Sequence, residues 1–208
     1  FFNHQNFPLQ LLKQKNIMDE TIKPMVVGFP LYDGVTLMDF VGATDVFNVA
    51  YGSFIPIWLA EEKRPIKTSS GTFVYPNYSF DEAHPPIDIL YVPGGNAAGV
   101  INNAMFNQTY QNFIKTTAAG TQWTGSVCVG VFILAAAGLL NNCTVTTYWS
   151  QLNNLRLLNN YCNIKIPEGY PRGIIDEQQK RFTGGGISSS VDLAIMLVEK
   201  IRGEWMAE

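Results

Sequence analysis

Apolar positions along this chain fall into two alternating patterns, short continuous runs and longer stretches with helical spacing. Pro24–Phe29 (PMVVGF) is a run rich in β-branched residues and reads as a buried first strand. From Thr36 the spacing turns helical, with Leu37, Phe40, Val41, Val46, Phe47 and Ala50 as its apolar positions. Thr36 with Asp39 three residues on predicts a capping box, and Gly42 predicts a kink or break in that helix. Phe54–Ala60 reads as a second strand, placed at a sheet edge by Pro56. Ile66–Tyr75 reads as a hairpin around Ser70-Gly71, and Asp81–His84 as one helical turn. Ile87–Val92 reads as a central strand that runs directly into Pro93-Gly94-Gly95-Asn96, and Asn107–Ala119 as a helix.

The next stretch, Thr121–Leu140 (TQWTGSVCVGVFILAAAGLL), is an apolar strand, a small-residue turn with Cys128 at its tip, and a core helix. Beyond it the pattern predicts a strand at Val145–Tyr148, a helix at Gln151–Asn159 and a hairpin from Ile174–Asp176 and Lys180–Thr183. After Gly184-Gly185-Gly186 comes the clearest amphipath, Ser190–Arg202, with Val191, Ala194, Ile195, Val198 and Ile201 as its inward stripe. Strands alternating with helices predict an α/β fold with a mostly parallel sheet covered on both faces. Residues 23–208 read as one domain, without repeat or linker, and residues 1–22 as a leader or extension outside the fold.

Composition narrows the function classes. The 208 residues are 47% hydrophobic and 15% charged, with net charge −3 and a pI near 5.4. Nothing there favours nucleic acid or an anionic membrane as a partner. The longest apolar run, Val127–Leu140, is too short to span a bilayer, and residues 1–18 lack the pattern of a secretion signal. Three cysteines without paired spacing argue against a disulfide framework or zinc site, and for a reducing, cytoplasmic setting. No metal or nucleotide motif is present, so no cofactor is expected.

The chemistry centres on Cys128. A cysteine on a sharp strand-to-helix turn stands exposed at the end of the sheet, beside free N–H groups at a helix N-terminus, which would lower its pKa. The geometry resembles the nucleophile elbow of α/β hydrolases, with cysteine for serine. The sequence leaves open whether Cys128 is that nucleophile or a small packing residue. Ligands of open α/β sheets bind beyond the C-terminal strand ends, where Asp39, Pro93–Asn96 and the elbow should converge. Gly94 and Gly95 offer backbone N–H groups for a developing negative charge, with the Val129 N–H as a second donor, or form a plain turn. Asp39, between Met38 and Phe40, is either a general acid with a pKa raised by burial or a helix cap. The histidines are His4 and His84. His84 precedes its strand and so falls at the opposite sheet edge from Cys128, which leaves Asp39 as the proton partner. An apolar lining from Val129, Phe132 and Trp149 would suit a small hydrophobic substrate.

These stretches together resemble the ThiJ/PfpI superfamily, relatives of class I glutamine amidotransferases. The carrying segments are PMVVGFPLYDGVTLMDFVGATDVFNVA, DILYVPGGNAAG, GSVCVGVFILAAAGLL, TVTTYW and TGGGISSSVDLAIMLVEKI, which cover most of residues 24–202. Within the superfamily the chain is most similar to isonitrile hydratases and to the amidase-like domains of some AraC-type regulators. The resemblance implies a flavodoxin-like three-layer sandwich, usually a homodimer, with a nucleophile at Cys128, an acid at Asp39 and backbone donors at Gly95 and Val129. It further implies hydration of an isonitrile to an N-substituted formamide. Two positions depart from the pattern. Val129 stands where isonitrile hydratases carry threonine, and Tyr148 where many relatives carry histidine. Tyr148 then either donates a hydrogen bond into the site or is a structural strand residue. The departures also keep open a second class, a ligand- or redox-sensing domain without catalysis.

Overall fold

The computed structural model describes residues 23–50 and 52–207; the extension expected at 1–22 lies outside the described residues. Its centre is a seven-stranded sheet in the order β5-β2-β1-β6-β7-β9-β8. The strands are β1 (Met25–Leu31), β2 (Phe54–Ala60), β5 (Tyr78–Ser79), β6 (Ile89–Val92), β7 (Trp123–Val127), β8 (Gly173–Asp176) and β9 (Arg181–Gly184). All pairings are parallel except β8 with β9. A separate antiparallel pair, β3 (Ile66–Lys67) with β4 (Phe73–Val74), forms the expected hairpin. The order around β2-β1-β6-β7-β9 is flavodoxin-like, and the α/β expectation is borne out. All seven residues of β1 are buried, as a strand covered on both faces requires.

Helix α1 (Leu37–Val49) packs on α5 (Ser189–Arg202), which continues into α6 (Glu204–Ala207). A second group comprises a π-helix (Gly99–Met105), α2 (Gln108–Gly120) and α3 (Gly130–Ala136). Phe29, Phe47, Tyr91 and Phe182 pack as tilted and edge-on rings through the core, their neighbouring ring centroids 5.1–6.4 Å apart. No helix among the described residues is long and apolar enough to cross a membrane.

Several expectations are corrected. Helix α1 runs unbroken through Gly42, because the missing side chain admits α5: a Cβ there would sit 2.9 Å from Val191 Cγ2 and 3.1 Å from Ser190 Oγ. The Ser190 hydroxyl in turn donates to the Met38 carbonyl at 2.8 Å. Thr36 occupies the N-cap but its side chain makes no capping bond to the helix, and the Asp39 carboxylate accepts from the Gly94 N–H instead of turning back to Thr36. Val145–Tyr148 is irregular rather than a strand. Its hydrogen bonds go sideways, from Val145 N–H to the Lys165 carbonyl and from Thr146 N–H to the Thr183 hydroxyl. Asp81–His84 turns without forming a helix, and the elbow helix stops at Ala136, short of Leu140. The predicted helix at 151–159 is a 3-10 turn (Trp149–Gln151), α4 (Leu152–Leu157) and another 3-10 turn (Leu158–Asn160). The buried face of α5 holds Ser190, Leu193, Ala194, Leu197 and Val198, whereas Ile195 is exposed. Close contact with Gly42 and Gly173 sets that rotation. Pro56 is an edge residue only locally, since β5 pairs with β2 at Leu59 and Ala60 alone.

The tightest contact in the sheet is at Gly125 in β7, where a Cβ would lie 2.1 Å from the Phe182 carbonyl oxygen and 2.3 Å from its ring. Backbone cannot yield as a side-chain tip can. Gly125→Ala is therefore expected to destabilise the protein by about 3 kcal/mol or more, read as a fall in the urea midpoint.

Candidate active site

The strand order reverses between β1 and β6, so a crevice opens beyond their C-terminal ends. The segment after β1 delivers Asp39 on the first turn of α1, and the segment after β6 delivers Gly94 and Gly95. An antiparallel bridge between Val35 and Gly95 ties the two segments, with Thr36 N–H donating to the Gly94 carbonyl at 3.0 Å. The next strand, β7, ends at Val127, and Cys128 follows on the turn into α3.

Cys128 has φ 57°, in the left-handed region that costs a non-glycine residue ~1–2 kcal/mol. Neighbours hold it there. Its N–H donates to the Gly184 carbonyl at 2.9 Å, and its carbonyl accepts from the Thr147 hydroxyl at 2.8 Å. The elbow expectation holds in shape but not in exposure: Cys128 is only 7% exposed.

Asp39 is fully buried, and its Oδ2 accepts a 3.0 Å hydrogen bond from the Gly94 N–H. The Cys128 thiol lies against the carboxyl group, close enough for each to shift the other's acidity. Asp39 Oδ1 has no hydrogen-bond partner among the described residues. Burial pushes Asp39 up from 3.8 to about 7, against the pull of the Gly94 N–H, the thiol and the Ile187 N–H. The thiol is pushed up to about 12, first by burial and then by the Asp39 charge; the Val129 and Ile187 N–H groups pull the other way without prevailing. The lowered thiol pKa expected from a helix N-terminus is thus reversed. Helix α3 has seven residues, and loss of water outweighs its field. Cys128 rests as a thiol, and Asp39 is the group of the pair that gains or loses a proton near neutral pH.

Three glycines allow this approach. A Cβ at Gly94 would fall 2.8 Å from Cys128 Cβ and 2.9 Å from Asp39 Oδ2. One at Gly95 would meet the Gly34 carbonyl at 2.6 Å, and one at Gly186, where φ is +112°, would sit 2.9 Å from Cys128 Sγ. The Gly94 N–H is spent on Asp39, whereas the Gly95 N–H has no acceptor among the described residues.

A cleft of about 530 Å³ opens over Cys128. Val100, Ile101 and Met105 of the π-helix, with Val129, Phe132 and Ile187, make it apolar, and no lining residue carries a formal charge. Gly95 and Tyr148 also line it, so the structure gathers Cys128, Gly95, Val129 and Tyr148 at one cavity, with Asp39 and Gly94 directly behind. Trp149, expected in the lining, is instead 63% exposed and packs on Tyr148 with ring centroids 5.6 Å apart. His84 lies before β6, at the other end of the sheet, beside Tyr78 and Phe113. Among the described residues no group of three or more His, Cys, Asp or Glu could hold a metal ion. Sequence reasoning missed Ile187, Thr147 and the π-helix. The glycine triplet at 184–186 was the available signal for the first, and nothing in the pattern marked the other two.

A flavodoxin-like sheet that sets a cysteine elbow against a buried carboxylate at its switch point defines a class of α/β proteins. Sequence gives the family: the profile of the DJ-1/PfpI family matches residues 25–198, and the chain belongs to that family. It is 30% identical over 178 residues to an isonitrile hydratase of Pseudomonas putida, covering 85% of this chain and 72% of that protein. It is also 25% identical over 190 residues to the HTH-type transcriptional regulator GbdR of Pseudomonas aeruginosa, covering 86% of this chain but 47% of the regulator. Among solved structures, a ThiJ/PfpI family protein from Pseudomonas syringae superimposes with TM-score 0.78 at 26% identity, covering 89% of this chain and 72% of that one.

Because burial raises the Asp39 pKa, the folded protein retains a proton that the unfolded chain releases. The associated stability is full below about pH 4 and is lost as pH rises through about 7, a difference on the order of 4 kcal/mol. Asp39→Asn should flatten that dependence, giving a higher melting temperature than the unsubstituted protein at pH 8 and little gain at pH 4.

Proposed function

We propose that Cys128 and Asp39 form the catalytic pair of a cofactor-free enzyme that hydrates a small uncharged electrophile, as an isonitrile hydratase does. The observation that carries this reading is the buried Asp39 carboxyl, its Oδ1 unpartnered, set against the Cys128 thiol. A buried acceptor without a partner is costly in a merely structural carboxylate and useful in one that receives a proton. The uncharged lining of the cleft and the family relationship to an isonitrile hydratase support the same substrate class.

In this reading sulfur attacks the terminal isonitrile carbon while its proton passes to Asp39 Oδ1. Asp39 then delivers that proton to the same carbon, which leaves a thioimidate, R–N=CH–S–Cys128. Water adds across the carbon–nitrogen double bond, giving R–NH–CH(OH)–S–Cys128. The C–S bond breaks, the hydroxyl proton returns through Asp39 to sulfur, and R–NH–CHO departs with the thiol restored. Negative charge that builds on sulfur faces the Val129 and Ile187 N–H groups. The Gly95 N–H, without an acceptor among the described residues, can serve the departing formamide oxygen.

A second reading, a ligand-sensing domain without turnover, is favoured by Val129, which offers the cleft no hydroxyl, and by the similarity to a transcriptional regulator of which this chain spans about half. Turnover separates the two. With n-butyl isonitrile, the unsubstituted protein should form the formamide and Cys128→Ala should form none; absence of turnover in the unsubstituted protein would leave the sensing reading. Asp39→Asn should reduce kcat by about 10²–10⁴-fold. The carboxylate form must accept the thiol proton, so kcat/KM should rise as pH increases through about 7 and then level off. A profile flat across that range would exclude Asp39 as the acceptor.

A further inference from the structure

The cleft over Cys128 does not end at its apolar wall. A second groove, about 390 Å³, lies beyond it, and Met105 and Phe132 line both. From these two residues the groove follows one turn of α3 past Ala135 and Ala136 to Leu158 and Tyr161. No residue lining it carries a formal charge. The first cleft also has polar lining, with Ser150, Gln151 and Asn154. A substrate whose reacting end sits at Cys128 can therefore extend an apolar substituent over Phe132 and Met105 into this groove.

We propose that this second groove is a subsite for the tail of the substrate, so that the protein takes a linear, uncharged molecule with its reactive group at Cys128 and a straight hydrocarbon chain along α3. The proposal rests on the hydration reading for the identity of the head group alone. The two cavities adjoin at Met105 and Phe132, and the apolar character of that shared boundary argues for a tail rather than a separate ligand. Half-buried Met105 and Phe132 are the residues that set chain length and branching, since a branched or cyclic substituent must pass between them.

The test uses the full chain and N-alkylformamides from methyl to decyl, which bind without reacting, with affinity read by calorimetry. Once the chain crosses Phe132, each added methylene should tighten binding about fourfold until the groove is filled. Ala136→Trp fills the groove from an exposed position and should return the long members to the affinity of the short ones. Should that variant fail to fold, Ala136→Gln, smaller and polar, should cut the gain per methylene. Affinity independent of chain length overturns the proposal. So does self-association that Ala136→Trp abolishes, which would assign the groove to a second copy of this chain. Turnover of the matching isonitriles is followed in parallel. Turnover without chain-length dependence keeps the hydration reading and sinks the subsite, whereas graded binding without turnover does the reverse.

Discussion

A carboxylate deprived of water organises the functional end of this protein. Asp39 is fully buried, with one oxygen held by the Gly94 N–H and the other without a hydrogen-bond partner among the described residues. Such a group survives only where the surrounding fold over-determines its position. Here α1 is clamped to α5 through Gly42 and Ser190, and the loop after β6 is bridged to the loop after β1 at Val35 and Gly95. The elbow is fixed from a third side by the Gly184 carbonyl and the Thr147 hydroxyl. Three stretches distant in sequence thus share the strain of one buried charge.

The fold was largely legible because its signals are short-range. β1, β6, β7 and the β8–β9 hairpin each announce themselves as apolar runs bounded by turn residues, and their alternation with helices leaves few topologies open. The misreadings share a cause, tertiary contacts that overrule local preference. Gly42 looks like a helix breaker and is a contact point. Thr36 and Asp39 look like a capping pair, yet the carboxylate finds a better donor across the crevice in Gly94. Val145–Tyr148 has the residues of a strand but lies where β9, not it, pairs with β7.

The candidate site was legible as a set of residues and much less so as an environment. Cys128, Asp39, Gly94, Gly95 and Val129 converge because each follows a parallel strand or opens a helix beyond one, and topology sends those positions to the same edge; Tyr148 reaches it from the irregular segment 145–148. Their acidity was the harder inference. It depends on how much water the glycine triplet before α5, the π-helix and Ile187 exclude, and exclusion is a property of the assembled surface that residue spacing does not encode. That is why a helix terminus was expected to govern the thiol, whereas burial does.

A thiol kept protonated by its surroundings is also a thiol kept in reserve. Generic electrophiles and oxidants attack thiolates, and a cysteine only 7% exposed with its thiol pushed up to about 12 offers them almost none at neutral pH. Reactivity then depends on an occupant that fits the cleft and brings the electrophile into line with the sulfur while Asp39 receives the proton. The burial that appears to silence Cys128 acts as a filter, and discrimination against the wrong molecule happens before any bond is made.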